Sequence, residues 1–251
     1  MTIPHARGTV DDAEIGNFEA MAADWWDPNG RLRPLHDLNP VRLTWLKREI
    51  CRRFGRDESD SRALEGLSFL DIGCGGGLLT LPLARLGATM VGADAGAANV
   101  EAARVQAEKV GVEVDWRATT AEAIAETGET FDVVIAMEIV EHVADLPLFL
   151  REVARLVRPG GLLCLATLNR TLKSFALAIV GAEYVMRWLP PGTHTWTKFV
   201  TPKELERAVE ATGLRVLDAC GMVFDPLRGR WELKNGDLDV NYLMLAERSG
   251  A

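Results

Sequence analysis

From residue 67 onward, short apolar runs alternate with longer amphipathic segments, and this alternation constrains the fold more than any other feature of the chain. The runs 67–70, 89–93, 131–137 and 162–167 predict buried strands, and 112–116 predicts a weaker, alternating one. Segments 78–86, 97–110 and 146–157 lie between them and carry helical patterning. Strict strand–helix alternation implies an α/β domain with a mostly parallel sheet and helices on both faces. Arg158-Pro159-Gly160-Gly161 predicts the turn between one helix and the next strand. Thr201 reads as the N-cap of a helix over 202–212, with Pro202 in its first position and Gly213 as its stop. Two last strands, 214–223 and 239–246, bring the expected sheet to seven. Their connection, 224–238, is long enough for a hairpin excursion or a surface flap.

Two regions stand outside the alternation. Residues 11–54 read as helical, with Asn39-Pro40 marking the start of a second helix, and residues 169–200 follow the strand ending near Thr167. We therefore divide the chain into an N-terminal helical extension, 1–60, and one α/β domain, 61–251, with an insertion at about 169–200. Open parallel sheets bind ligands at the carboxyl ends of their strands, so a cover and an insertion placed this way suit a lid over that edge.

The net charge of −8 excludes a general nucleic-acid binder, which needs a basic surface to displace counterions. Residues 1–10 lack the apolar core of a secretory signal, and the apolar run 175–182 is far short of the ~20 residues a membrane span needs. Cys51, Cys74, Cys164 and Cys220 are scattered without a C-x-x-C pair and read as free thiols. The expectation is a cytoplasmic chain.

Asp71-Ile72-Gly73-Cys74-Gly75-Gly76-Gly77 follows the first predicted strand. A glycine-rich turn there is a generic nucleotide signal, and three details sharpen it. A dinucleotide fingerprint laid on Gly73 and Gly75 would need glycine or alanine at Leu78 for close helix packing. Asp71 sets a carboxylate where a pyrophosphate would be repelled and where an ammonium and a sulfonium would be attracted. Asp94 ends the second apolar run at the offset, ~20 residues, from which an acid takes the two ribose hydroxyls. Together these favour S-adenosylmethionine over a nicotinamide cofactor. Asp-x-Gly-x-Gly-x-Gly is the pattern of the class I methyltransferases, which the chain resembles over about 67–246, and the resemblance implies a Rossmann-like fold.

Beyond the fourth strand comes Met137-Glu138-Ile139-Val140-Glu141-His142. If a helical turn begins here, Glu138, Glu141 and His142 fall at i, i+3 and i+4 and share one face. Two carboxylates and an imidazole suit a divalent cation such as Mg²⁺, which would acidify and orient a catechol-like acceptor. Equally, the glutamates suit a helix start, with His142 a general base. The residues alone leave both open.

Longer strings match a narrower group: Asn17-Phe18, Trp25-Trp26-Asp27, Pro34-Leu35-His36, Asn39-Pro40-Val41-Arg42, Thr167-Leu168-Asn169-Arg170, Gly181-Ala182-Glu183-Tyr184, Gly192-Thr193-His194 and Asp239-Val240-Asn241-Tyr242. Over about 11–247 the chain resembles the ubiquinone-biosynthesis O-methyltransferases. The resemblance implies methylation of a polyprenylated ring at two steps, on a 2-polyprenyl-6-hydroxyphenol and on a 3-demethylubiquinol. By position it makes Arg42, Gly73, Asp94 and Met137 cofactor contacts, with Arg42 suited to the methionyl carboxylate. It also maps Glu138, Glu141 and His142 onto metal-binding positions of mitochondrial relatives, which adds weight to the cation. Such an acceptor is nearly insoluble in water, and segment 172–189, rich in apolar and aromatic residues between Lys173 and Arg187, suits peripheral contact with membrane lipid. Packing of that segment on the domain core is the alternative. Membership of a ubiquinone-biosynthesis complex, another catechol or small phenolic acceptor, and a non-catalytic cofactor-binding scaffold are further readings that the sequence allows.

Overall fold

The computed structural model describes residues 8–175 and 196–250. Eight strands form one sheet: β1 (Ser68–Ile72), β2 (Thr89–Asp94), β3 (Asp115–Ala118), β4 (Phe131–Met137), β5 (Val157–Leu168), β6 (Leu214–Asp225), β7 (Arg230–Asn235) and β8 (Asn241–Arg248). Their order is β3-β2-β1-β4-β5-β8-β6-β7. The first five are parallel, and β8 enters antiparallel between β5 and β6. The expected sheet of seven gains β7, which pairs antiparallel with β6 from Cys220–Asn235 to Asp225–Arg230. The connection over 224–238 is thus a hairpin strand at the sheet edge.

Period-two patterning decides which side chains face which layer. In β4, Val134 and Ala136 pack with Phe149, Leu150 and Val153 of helix α6 (Leu146–Leu156). Val133 and Ile135 point the other way, into a layer shared with Trp45, Leu46 and Ile50. Both faces of β4 are buried, which explains an unbroken apolar run at the centre of a parallel sheet. The α6 layer also takes helix α5 (Ala121–Thr127), capped by Thr120, and α8 (Pro202–Glu210). In α8 the Thr201 hydroxyl accepts from Glu204 N while the Glu204 carboxylate accepts from Thr201 N, a reciprocal cap. Helices α3 (Thr80–Arg85) and α4 (Ala97–Val110) complete the alternation.

The N-terminal region is helical, with one correction. Helix α1 (Asp12–Glu19) leads through a 3₁₀ turn at Ala22–Asp24 to α2, which runs from Arg33 to Phe54. Asn39-Pro40 therefore starts nothing. Pro34 occupies the first turn, and Pro40 lies inside the helix, where its missing N–H costs one ladder hydrogen bond. Asn39 Nδ2 anchors this part of the helix by donating to Leu78 O over 2.6 Å. A three-residue helical turn, α7 (Leu172–Ser174), begins the insertion and is capped by Thr171. The remainder of the lid expected over 172–189, and the strings at 181–184 and 192–194, fall largely outside the described residues.

Candidate active site

Strand order reverses between β1 and β4, because β1 connects away to β2 on one side while β4 fills the other. The crevice at the carboxyl ends of these strands is the ligand position for this architecture. It opens here as a cavity of about 710 Å³, lined among others by Arg42, Asp71, Gly73, Asp94, Met137 and Glu138.

The glycine loop is built for close approach. Gly73 N and Cys74 N both donate to Ala93 O, tying the loop to the end of β2. Gly73 has φ 71°, and a side chain on it would strike Ile139. Gly75 has φ 52°, and a Cβ there would meet the Trp25 ring at 2.3 Å. Gly75 N donates to Asp94 Oδ2 over 3.0 Å, so loop and acid are joined before any ligand enters. Leu78 is buried, and a leucine there is incompatible with the helix packing that a dinucleotide site requires.

Both acids are held in unusual states. Burial pushes the Asp71 carboxyl up to about 7, against a hydrogen bond from Thr80 Oγ1 at 2.6 Å. Asp94 is also raised by burial, opposed by donors from Asn99, Gly96 and Gly75. A cationic ligand group would restore the charged forms.

Glu138 directly follows β4 with φ 51°, the one non-glycine residue in the left-handed region among the described residues. Strain of this kind collects where a side chain must be aimed. Glu138 Oε1 lies 2.8 Å from Arg42 Nη2, but the alignment misses a hydrogen bond. Those two atoms, together with Arg42 Nε and Glu141 Oε1, are buried without hydrogen-bond partners. Buried polar atoms of this kind are rare, and at a cleft they fit a ligand with complementary groups.

The expected metal trio is corrected at this point. Residues 138–142 form a turn, with His142 N donating to Ile139 O, so the helical i, i+3, i+4 face does not exist. Glu138 goes to Arg42, Glu141 Oε2 accepts from Thr167 Oγ1 at 2.8 Å, and His142 Nδ1 lies 3.1 Å from Glu14 Oε2. No group of three His, Cys, Asp or Glu among the described residues is arranged to hold a metal ion. These donors do not fit Mg²⁺ as they stand.

What the sequence reading missed is Glu14. It comes from α1, accepts from Lys198 Nζ at 2.8 Å, and is held at about 2 by its hydrogen bond to His142 despite partial burial. Burial works to lower the His142 pKa, yet Glu14, then Glu141 and Glu138, outweigh it and the net shift is upward. Burial, with the Glu138 charge, raises Glu141 to about 7. Phe18 stacks edge-on against His142, with ring centroids 5.2 Å apart. Glu14 escaped notice because a glutamate on an exposed-looking first turn carries no local signature.

A model described as a methyltransferase domain matches residues 43–219. The ubiquinone biosynthesis O-methyltransferase of Brucella ovis is 55% identical over 243 residues, 97% of this chain and 98% of that protein. Its namesake in Rhizobium leguminosarum bv. trifolii is 54% identical over 97% of this chain and 96% of its own. The chain belongs to the ubiquinone biosynthesis O-methyltransferase family. Among solved structures, magnesium protoporphyrin IX methyltransferase from Synechocystis PCC 6803, with bound SAH, superposes with a TM-score of 0.63 at 19% identity, covering 95% of this chain and 100% of that one. A SAM-dependent methyltransferase from Aquifex aeolicus gives 0.59 at 15% identity, covering 92% and 98%. These two likenesses establish the Rossmann-like class I methyltransferase fold.

Proposed function

We propose that this chain is an S-adenosylmethionine-dependent O-methyltransferase acting on the phenolic hydroxyl of polyprenylated acceptors, 2-polyprenyl-6-hydroxyphenol and 3-demethylubiquinol. The observation that carries it is one cavity shared by a cation-seeking acid pair, an unsatisfied arginine and a histidine held by a carboxylate. The names of the relatives give the acceptor class. A methyltransferase domain, 61–251, under a helical cover, 1–60, is the organisation we infer.

When bound, S-adenosylmethionine supplies an electrophilic methyl group on a sulfonium. Arg42 would hold the methionyl carboxylate, with Nε free of any hydrogen-bond partner and a planar fork suited to two oxygens. Asp71 would face the ammonium, Asp94 the ribose hydroxyls, and Gly73 and Gly75 would let the backbone come close. Met137, buried at the end of β4, would pack beside them. His142 would take the phenolic proton. With Nδ1 committed to Glu14, the ring's basic nitrogen is Nε2. Phe18, Phe149 and Trp231 line the same cavity and would exclude water from the acceptor ring.

Contact with membrane lipid at the insertion belongs to the same reading. Leu172 is 80% exposed and Phe175 42%, and both stand where the segment begins. No helix among the described residues is long and apolar enough to cross a membrane. Liposome co-sedimentation that survives Phe175→Glu with Trp188→Glu would argue against this contact.

A methyl-transfer assay with a short-chain demethylubiquinol tests the main proposal. We expect turnover dependent on S-adenosylmethionine. Binding of S-adenosylhomocysteine without any transfer would point to the scaffold reading, and transfer to unprenylated catechols alone to a different acceptor.

A further inference from the structure

The indole Nε1 of Trp25 donates to Asn99 Oδ1 over 2.9 Å, and Asn99 Nδ2 donates to Asp94 Oδ1 over 3.1 Å. Trp25 comes from the cover, Asn99 from the first turn of α4, and Asp94 from the end of β2. All three are buried or nearly so. An indole N–H can only donate and an ionised carboxylate can only accept. A primary amide can bridge them, because it presents an oxygen to one and an N–H to the other. Leucine, with the same branching, can do neither, and aspartate would bring a second negative charge against Asp94.

The bridge sets where the acid's lone pairs point. Asp94 Oδ1 accepts from Asn99 and from Gly96 N, and Oδ2 from Gly75 N. Three donors from two directions fix the plane of the carboxylate and favour its charged form in a buried place. Trp25 in turn covers the faces of Gly75 and Gly76, where a Cβ would strike its ring, and Trp26 Nε1 donates to Gly76 O over 2.9 Å. Glu19, at the end of α1, accepts from Ala98 N, an N–H of α4 that no side chain of that helix's own N-cap satisfies.

We propose that Asn99 is a positioning residue for the cofactor ribose, and that the Trp25 indole N–H sets its amide orientation. Docking of the N-terminal cover thereby aims Asp94 at the ribose hydroxyls. This rests on the assignment of Asp94 to the ribose made above.

The test is calorimetric titration of S-adenosylhomocysteine and its 2′,3′-dideoxy analogue into the full chain, Asn99→Leu, Trp25→Phe and the double variant. The unaltered chain prefers S-adenosylhomocysteine over the analogue if Asp94 holds the ribose. Asn99→Leu is expected to weaken S-adenosylhomocysteine by roughly tenfold or more, the worth of a hydrogen bond to a charged group, while leaving the analogue within about twofold. Trp25→Phe keeps the ring and loses the N–H, so it gives a smaller loss in the same direction. The double variant should be no weaker than Asn99→Leu alone, because both act on one bridge. Equal weakening of both ligands in Asn99→Leu would overturn the proposal and leave a structural role only. Additive losses would overturn the part assigned to Trp25. An unaltered chain that fails to prefer the ribose hydroxyls would instead overturn the Asp94 assignment beneath it.

Discussion

Arg42 Nη2 stands 2.8 Å from Glu138 Oε1 in a buried ion pair that falls short of a hydrogen bond. Charge holds it, and Arg42 Nε keeps its donor free for a carboxylate ligand. Arg42→Lys retains the charge and loses the fork. We expect S-adenosylhomocysteine affinity to fall by about tenfold or more, measured by calorimetry. Arg42→Met strands Glu138 and should lower stability by about 3–5 kcal/mol in urea unfolding. Unchanged affinity in the lysine variant would sink the carboxylate assignment.

Glu14 acts through His142, and its side-chain partners are His142 and Lys198. Glu14→Gln preserves shape and removes the charge beside the ring. We expect kcat to drop by roughly tenfold, a part of what a positioned base contributes, with S-adenosylhomocysteine affinity kept. A variant with normal kcat would show that His142 works without Glu14 or does not serve as the base.

Asp71 gives a pH signature. Its folded pKa, about 7, lies above the usual carboxylate value, so the native state keeps a proton that the unfolded chain releases. Stability of the ligand-free chain therefore declines as pH rises from ~4 to ~7 and levels off above, by an amount of order 4 kcal/mol. Asp71→Asn removes that contribution. Urea unfolding at pH 5 and pH 8 should show the variant gaining on the parent at the higher pH while losing affinity for S-adenosylhomocysteine. Parallel behaviour at both pH values would refute the buried, proton-holding carboxyl.

Gly75→Ala forces a side chain into left-handed backbone and against the Trp25 ring. We expect a cost of about 1–3 kcal/mol and a shift in tryptophan emission as the indole is pushed away. Gly111→Ala is the control. It has similar backbone at φ 65° but nothing within 4 Å of the added Cβ, so its emission should stay put.

The sheet was legible because β4 and α4 carry their patterns locally: residues 131–137 and 97–110 coincide with both elements. Glycine loop, Asp71 and Asp94 were legible for the same reason, since strand ends and turns announce themselves in sequence. Boundaries failed where a side chain's partner is distant. Pro40 reads as a helix start until Asn39 is seen bound to Leu78. Glu138, Glu141 and His142 read as one helical face until the positive φ of Glu138 breaks the spacing. Neither Glu14 nor Asn99 carries any local mark, because each owes its role to a residue far along the chain.

That remoteness governs the order of assembly. Trp25 waits for Asn99, 74 positions later, Glu14 for His142, 128 later, and Lys198 closes on Glu14 across 184. Loops this long close last, after the local strand–helix units that supply their far ends. The cover is then late on the folding route and early on the way out. Weakening its contacts should raise the unfolding arm of a chevron and leave the folding arm nearly where it was.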